Sequence, residues 1–200
     1  MDVLTKEQRH AAMAAIRGRD TKPELIVRRW LWRQGFRYRL NSPRLPGHPD
    51  LVLRKYRTCI FVNGCFWHGH KAEVVADESV MDGDESLPML RDSDCFRLPQ
   101  SNRPFWLKKI LKNMKRDVAE QRRLAEMGWH CITVWECELR PAARQRTLEA
   151  LAFTLNKIFL ADRSVAKEDS RVVALPIHRY QSFEEGSSFG MAAEPSVGDD

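Results

Sequence analysis

The segment Gly64-Cys65-Phe66-Trp67-His68-Gly69-His70 brings a soft metal ligand, two imidazoles and two large aromatic rings into seven positions. Cysteine and histidine bind transition metals such as zinc, and a histidine titrates near neutral pH, where it can act as a general base. Aromatic rings are poor choices for an ordinary surface loop, but flat rings can enter a nucleic acid. The segment therefore predicts a loop that holds a metal and contacts a nucleic acid.

A carboxylate precedes this loop. Asp50 follows Pro49 and begins an apolar segment, and a carboxylate at a sheet edge can hold Mg²⁺, which keeps water and phosphate as its other ligands. Such a cation polarises a phosphodiester, although a Pro-Asp pair alone is more typical of a turn. Two apolar strands around a polar turn at 54–57 predict a hairpin, which would return His68 to the same end of the sheet as Asp50.

The charge pattern favours a polyanionic partner. The net charge is +6, but residues 71–94 carry −6 and residues 162–200 carry −4, so the remaining residues carry about +16. A solvated basic face is the alternative. No apolar run reaches the ~20 residues of a membrane span, and the N-terminal sequence lacks a signal-peptide core, so we expect a cytoplasmic protein without a membrane partner.

The periodicity predicts an α/β domain over residues 1–161, with helices on the faces of a sheet. Residues 71–94 look like an acidic, mobile insertion, and residues 162–200 are expected to be a largely disordered tail. The final strand is nearly all apolar, which is typical of a central buried strand. The predicted helices span 5–17, 21–34, 104–127 and 142–160, and the predicted strands span 36–40, 50–53, 58–62 and 129–135.

The five cysteines are expected to be reduced thiols. Cys59 and Cys131 lie inside apolar strands and are predicted to be core residues. Cys65, Cys95 and Cys137 lie at segment ends or in loops, where metal ligands are usually found.

Taken together, these features resemble the very-short-patch-repair endonucleases, which nick DNA at T:G mismatches left by deamination of 5-methylcytosine. The resemblance runs from about Thr5 to Arg140. It implies a restriction-endonuclease-like fold, with a central mixed sheet flanked by helices and a structural zinc site. Its landmarks are Met13-Ala14-Ala15-Ile16, Arg19-Asp20-Thr21, Glu24, Leu45-Pro46-Gly47-His48-Pro49-Asp50, residues 64–70, Phe105-Trp106, Lys112-Asn113, Arg116-Asp117, Gly128-Trp129 and Val134-Trp135-Glu136-Cys137.

The resemblance implies a set of catalytic residues. It places Mg²⁺ at Asp50 and the backbone carbonyl of Val62, His68 as the general base, and Glu24 beside the metal-bound waters. From the residues alone, His68 could instead be a further metal-loop ligand, and Glu24 fits the third helical position of a capping box that begins at Thr21.

The sequence departs from the family pattern at Asn63, where a second catalytic histidine is usual. Asparagine can donate a hydrogen bond to a phosphate oxygen but cannot exchange a proton. The PD…ExK signature of nucleases with this fold is also absent, so His68 must carry the base role.

The structural zinc implied by the resemblance would be held by Cys65, His70, Cys95 and Cys137. In the family the second cysteine closely follows the histidine, whereas here Ala72 lies near that position and Cys95 comes after the acidic insertion. We take Cys95 as the displaced ligand, with a free thiol as the alternative.

The resemblance also marks residues that contact DNA. Phe66, Trp67 and Trp106 would insert into the duplex, and Met13 would enter from the opposite groove. Core packing is the alternative for these side chains, and it is the interpretation we favour for Trp129 and Trp135. The helix that follows residue 103 would supply further DNA contacts through Lys109, Lys112 and Asn113.

The leading hypothesis is a Mg²⁺-dependent, strand-specific endonuclease that cuts 5′ of the mismatched thymine. It would act as a nucleoid-associated monomer, with a functional link to a DNA cytosine methyltransferase and to downstream mismatch-repair proteins. One alternative is a restriction or defence nuclease of the same fold without mismatch preference. The other is a zinc-stabilised DNA-binding module with weakened catalysis, for which Asn63 is the argument.

Overall fold

The computed structural model describes Thr5, Glu7, Gln8, Ala11, residues 18–75 and residues 89–165. The first predicted helix, including Met13, lies almost entirely outside the described residues, as do residues 76–88 and 166–200. The helices of the described part are α1 (Lys22–Arg33), α2 (Arg103–Glu126) and α3 (Pro141–Val165). The strands are β1 (Arg39–Leu40), β2 (Leu51–Leu53), β3 (Thr58–Asn63), β4 (Glu73–Val75), β5 (Met89–Arg91) and β6 (His130–Trp135).

The main sheet is mixed, as predicted, and has the strand order β1-β2-β3-β6. Strands β2 and β3 form the expected antiparallel hairpin, with Leu51 opposite Ile60, and they are joined by a 3₁₀ turn at Arg54–Tyr56. β6 lies parallel to β3, with Asn63 opposite Trp135. The first residues of β2 and the last residues of β3 therefore share one end of the sheet.

The prediction that residues 129–135 form a central strand is wrong. In the described sheet β6 pairs with β3 only and lies at one end, and of its six residues only Cys131 and Val134 are buried. The apolar run has another cause. Cys131 faces a cluster beneath α2, whereas Val134 faces the core beneath α1 and α3. An end strand covered on both faces is as apolar as a central one.

Helices cover both faces of the sheet. On one face α1 and α3 pack on the sheet around Val27, Leu31, Leu51, Ile60 and Leu155. On the other face Leu124 of α2 packs against Val52, Cys59 and Cys131. Cys59 and Cys131 are buried, as predicted, and burial raises the pKa of each thiol to about 12. Thiols held in this form are inert core residues.

Helix ends follow the predicted signals. Thr21 caps α1, because its hydroxyl accepts from the Glu24 backbone N–H and the Glu24 carboxylate accepts from the Thr21 N–H, each at 3.4 Å. Gly128 adopts φ +75° just beyond α2, where a left-handed residue ends a helix. Thr5 and Gln8 also form reciprocal hydrogen bonds, as a capping box requires.

The acidic segment 71–94 contains regular structure at both ends. β4 and β5 form a two-stranded antiparallel sheet in which Val74 lies opposite Leu90. Leu90 is buried with Phe96, Leu98 and Ile110, so this small sheet is packed onto the domain.

α3 continues to Val165, a few residues beyond the predicted end. None of the helices in the described part of the chain is long and apolar enough to cross a membrane.

Candidate metal and catalytic site

The shared end of β2 and β3 opens into a cavity of about 670 Å³. Asp50, Val62, Asn63 and His68 line it from the hairpin and the loop that follows β3, and Asp117 lines it from α2. The hairpin thus brings Asp50 and His68 to one site, as the sequence predicted. The fold also places a third ionisable group there.

Asp50 is held by the neighbouring strand. Its Oδ2 accepts a hydrogen bond of 2.7 Å from the backbone N–H of Val62. The pKa of Asp50 is raised to about 6, mainly by burial and also by the nearby negative charge of Glu24, although the Val62 hydrogen bond and His68 act in the opposite direction. A buried carboxylate that resists ionisation is a good partner for a cation, because the cation offsets the desolvation cost.

His68 is oriented by Asp117. Nδ1 of the imidazole donates a short hydrogen bond to Oδ2 of Asp117, whose side chain is 8 % exposed. This contact fixes the tautomer, so Nε2 is left as the basic atom. A histidine held by a carboxylate is a suitable general base for activating water.

The sequence reasoning missed this function of Asp117, which it had used only as a landmark. Asp117 is buried, whereas its neighbour Val118 is 40 % exposed. Asp117 lies seven residues after the buried Ile110, so the two share a helix face. The sequence signal for a buried role was a single acid, Asp117, on the helix face that carries Ile110.

Asn63 is buried, with 6 % of its surface exposed, and it lines the cavity. Within the described residues its side-chain amide has no hydrogen-bond partner. Burying an amide without a hydrogen-bond partner costs free energy. A ligand in this cavity could therefore accept a hydrogen bond from the Asn63 amide.

Glu24 is both a cap and a neighbour of the cavity. It is 1 % exposed, and besides capping α1 it accepts a hydrogen bond of 3.1 Å from Arg28. Its charge acts on Asp50, yet it does not line the cavity itself. The capping alternative is therefore established, and a place beside metal-bound waters stays a prediction.

Cys65, His70, Cys95 and Cys137 form the second part of the site. Their ligand atoms all lie within 4.8 Å of one another. Nδ1 of His70 is 3.6, 3.2 and 3.3 Å from the sulfurs of Cys65, Cys95 and Cys137. A tetrahedral zinc ion with ordinary bond lengths would separate nitrogen and sulfur by roughly 3.6 Å. The Cys₃His set fits structural zinc, and Cys95 joins it despite its distance along the chain.

The surroundings of the cluster fix the imidazole. The His70 ring stacks on Trp135 with centroids 4.0 Å apart, and the Ser93 hydroxyl donates to the His70 carbonyl at 2.9 Å. Trp135 thus covers a ligand, whereas the sequence had favoured a core role. Burial lowers the pKa of His70 to about 4, which keeps the ring neutral. Burial also raises the pKa of Cys65 to about 12, so its thiolate depends on a bound metal.

The metal-ligand loop lies tightly against α2. Gly69 has φ +58°, and a Cβ there would lie 2.7 Å from the sulfur of Met114. Only glycine combines that backbone conformation with that contact. The neighbouring residue of α2 also contacts the loop, because the Asn113 side chain donates to the Trp67 carbonyl at 2.9 Å. The two contacts hold the loop between the cavity and the Cys₃His cluster.

Two aromatic rings of this loop cluster with Trp106 of α2. Phe66 lies 5.1 Å from Trp67 and 5.3 Å from Trp106, and Trp67 lies 5.9 Å from Trp106. Phe66 and Trp106 pack against the buried cluster that includes Phe96. All three rings are partly exposed. Each side chain is therefore packed against the protein and can still contact a ligand.

The predicted basic contacts differ in their surroundings. Lys109 is exposed and its ammonium lies 5.9 Å from the centre of the Trp67 ring. Lys112 is exposed on α2. Asn113 already uses one amide donor on the loop backbone. The structure therefore gives Asn113 a positioning contact, and its predicted contact with DNA stays a prediction.

A buried carboxylate and a carboxylate-held histidine, in one cavity of a basic protein, are the groups expected of a phosphodiester-cleaving nuclease. Comparison with known proteins agrees. The family described as DNA mismatch endonuclease Vsr matches residues 1–74. The chain is 35 % identical over 174 residues to DNA mismatch endonuclease Vsr of Escherichia coli (strain K12), covering 87 % of this chain and 97 % of that protein. The chain belongs to the Vsr DNA mismatch endonuclease family and is a DNA endonuclease.

Two further relatives are named as nicking enzymes. Type II nicking enzyme V.NmeAIP of Neisseria meningitidis serogroup A is 42 % identical over 142 residues, covering 71 % of this chain and 86 % of that protein. Type II nicking enzyme V.XorIIP of Xanthomonas oryzae pv. oryzae is 36 % identical over 138 residues, covering 69 % of this chain and 86 % of that protein.

Proposed function

We propose that this endonuclease nicks one strand of duplex DNA, 5′ of the thymine in T:G mismatches that arise from deamination of 5-methylcytosine, and that it requires Mg²⁺. The observation that carries the proposal is the meeting of Asp50, His68 and Asp117 in one cavity. Family membership adds the substrate class, because the E. coli relative is named as a mismatch endonuclease.

Each cavity residue has a defined task in hydrolysis. His68 takes the proton of the attacking water at Nε2, and Asp117 holds the ring and stabilises the imidazolium that results. Asp50 and the backbone carbonyl of Val62 would hold Mg²⁺, which when bound neutralises charge on the phosphate and the leaving oxygen. Glu24 lies close enough to influence Asp50 and would orient water at the cation.

Asn63 takes the place of a usual catalytic histidine. Its buried amide can donate a hydrogen bond to a phosphate oxygen in the cavity. It cannot protonate the leaving group, so we propose that solvent provides that proton. This change would slow the reaction without removing the cation site.

The aromatic cluster would provide mismatch selectivity. Rings inserted between base pairs unstack them at a cost of a few kcal/mol, and this cost is smaller at a mismatch. Phe66 and Trp67 of the loop and Trp106 of α2 are partly exposed and pack against one another. Lys109, Lys112 and Asn113 would contact phosphates beside them. Met13 would enter the opposite groove.

Zinc at Cys65, His70, Cys95 and Cys137 would be structural. A four-ligand set has no open position for substrate, so the ion would stabilise the loop that carries His68 and the aromatic rings. We further propose that the protein acts as a monomer in the cytoplasm, on nucleoid DNA. A partner cytosine methyltransferase would set its sequence context, and mismatch-repair proteins would act on its nicks. These last proposals follow from the resemblance.

A nicking assay tests the proposal. Duplexes of identical sequence, with a T:G or T:A pair at one position, are incubated with the full-length protein and Mg²⁺, and each strand is labelled separately. We expect cleavage of the thymine strand of the T:G duplex only. Equal cleavage of both duplexes would indicate a nuclease without mismatch preference. Tight binding without cleavage would indicate a zinc-stabilised DNA-binding module.

A further inference from the structure

Residues 25–49 contain six arginines and no acidic residue. One of them, Arg28, pairs with Glu24 at 3.1 Å. Within the described residues the other five have no acidic partner. They are Arg29, Arg33, Arg37, Arg39 and Arg44, and all five are exposed. None of these arginines lines the cavity or belongs to the Cys₃His cluster.

The exposed part of α1 adds an aromatic ring to these charges. Trp32 is 53 % exposed, although tryptophan is usually largely buried. It shares the exposed helix face with Arg29 and Arg33, which are themselves one turn apart. Like charges at this spacing destabilise a helix, and within the described residues no acid offsets them. The cost is relieved if the face meets a polyanion.

Arg37 is fixed on this ring. Its guanidinium carbon lies 4.0 Å from the centre of the Trp32 ring, and its Nη1 donates to the carbonyls of Trp32 and Phe36, each at 3.2 Å. The remaining donors, Nε and Nη2, have no partner in the described part of the chain. A flat guanidinium held on an aromatic face is pre-organised to bind a phosphate.

This surface continues into the rim of the catalytic cavity. Arg39 lies in β1 opposite Val52, and two residues later Asn41 donates to the Asp50 carbonyl at 3.2 Å. Asn41 and Pro43 line the cavity. The four Cα-to-Cα steps from Arg37 to Asn41 span at most about 14 Å, which is roughly four base pairs of duplex rise.

We infer that Arg29, Trp32, Arg33, Arg37 and Arg39 form a second DNA-contacting surface, which binds backbone phosphates of the duplex beside the nicking site. It adds sequence-independent affinity and holds the flanking duplex in line with the cavity. The inference rests on DNA as the substrate and on no particular mismatch. Its phosphate contacts are separate from the aromatic cluster and from α2.

The test is the salt dependence of binding to a matched 24-base-pair duplex in Mg²⁺-free buffer, so that neither nicking nor mismatch preference enters. Each phosphate contact contributes about 0.9 to the slope of log affinity against log salt. We expect Arg29→Gln/Arg33→Gln/Arg39→Gln to lower the slope by about 2 to 3, and affinity at about 0.15 M salt by tenfold or more.

Matched variants make the test decisive. Arg146→Gln/Lys157→Gln removes two exposed charges from α3 and should leave the slope nearly unchanged. Trp32→Ala should weaken binding because Arg37 loses its platform, whereas Trp32→Phe should bind as the wild type does. A triple variant with the wild-type slope and affinity would overturn the inference. The inference would also be overturned if the triple variant lost binding to polyglutamate but kept its DNA binding. That result would indicate that the surface binds an acidic protein.

Discussion

Asp117 on α2 accepts a hydrogen bond from Nδ1 of His68, which lies 49 residues earlier in the chain on the loop after β3. The contact joins a helix to the loop that also holds Cys65 and His70. It leaves Nε2 of His68 to face the cavity as the basic atom. The orientation of the proposed base therefore depends on α2 as well as on the loop itself.

Asp117→Asn should lower the nicking rate at saturating DNA, because an amide can donate to Nδ1 and so favour the wrong tautomer. His68→Ala should lower this rate roughly 10²- to 10⁴-fold, the usual contribution of a general base. Asp117→Asn should lower it by at least about tenfold, but by no more than His68→Ala does. Single-turnover kinetics across pH would measure both. Glu120→Gln, in the same cavity, is the control. An Asp117→Asn enzyme with wild-type rate and pH profile would show that the contact is only structural.

Asp50→Asn should abolish nicking while DNA binding is nearly retained, because it removes the proposed Mg²⁺ ligand and no phosphate-binding cation. It should also stabilise the protein in Mg²⁺-free buffer. The pKa of Asp50 is raised from 3.8 to about 6, so the ionised carboxylate disfavours folding. This penalty is absent below about pH 4, grows between pH 4 and 6, and reaches about 3 kcal/mol above pH 6.

Urea unfolding of Asp50→Asn and wild type at pH 4.5 and pH 8 would measure that difference. The variant should be more stable by about 3 kcal/mol at pH 8, and its advantage should fall to about 1 kcal/mol at pH 4.5. Mg²⁺ should stabilise the wild type alone at pH 8. An equal response of both proteins to Mg²⁺ would place the cation elsewhere.

Local sequence signals predicted the parts of the site that lie close together in the chain. The apolar strands around residues 54–57 predicted the hairpin that joins Asp50 to Val62, and Thr21 and Glu24 predicted the start of α1. Contacts between distant segments carried no such signal. Asp117 looked like a solvent-facing helix residue, and nothing in the β6 residues showed that this strand ends the described sheet. The expectation of an irregular insertion likewise missed the pairing of Val74 with Leu90.

Cys65→Ser or Cys137→Ser should remove zinc and lower the melting temperature strongly, because the free energy of structural metal binding is part of the free energy of folding. Cys95→Ser should do the same, since its sulfur lies 3.2 Å from Nδ1 of His70. Metal analysis and thermal unfolding on the same preparations would measure both effects. Cys131→Ala should lose stability through a buried cavity while keeping one zinc. Active wild-type protein without zinc would contradict the assignment.

Trp67→Ala tests mismatch recognition. The ring contacts Phe66 and Trp106, and loss of base stacking should cost roughly 1–3 kcal/mol. The ratio of T:G to matched-duplex affinity should fall by about tenfold with the salt slope nearly unchanged, because non-specific affinity rests on phosphate contacts. Trp129→Ala, in the cluster with Leu124, should lower stability and leave that ratio intact. Stable, zinc-loaded Trp67→Ala protein with full discrimination would rule out insertion of this ring.

The last prediction concerns the acidic segment between β4 and β5. Residues 76–88 contain five acids and no base. The strands on either side are packed through Leu90 onto the cluster that includes Phe66 and Trp106, so both ends of this segment are anchored near the aromatic rings. Replacing residues 76–88 with a short Gly/Ser linker should preserve the fold and zinc, because loop closure depends only weakly on length.

The same replacement should tighten binding to matched duplex at low salt and affect binding little at high salt, because it removes negative charge beside a polyanion. A linker of equal length that carries five glutamates is the matched control, and it should restore the wild-type affinity. If both linkers tighten binding equally, the natural segment obstructs DNA by its bulk. If the Gly/Ser linker weakens binding, the segment contacts DNA directly, and electrostatic repulsion is the wrong explanation.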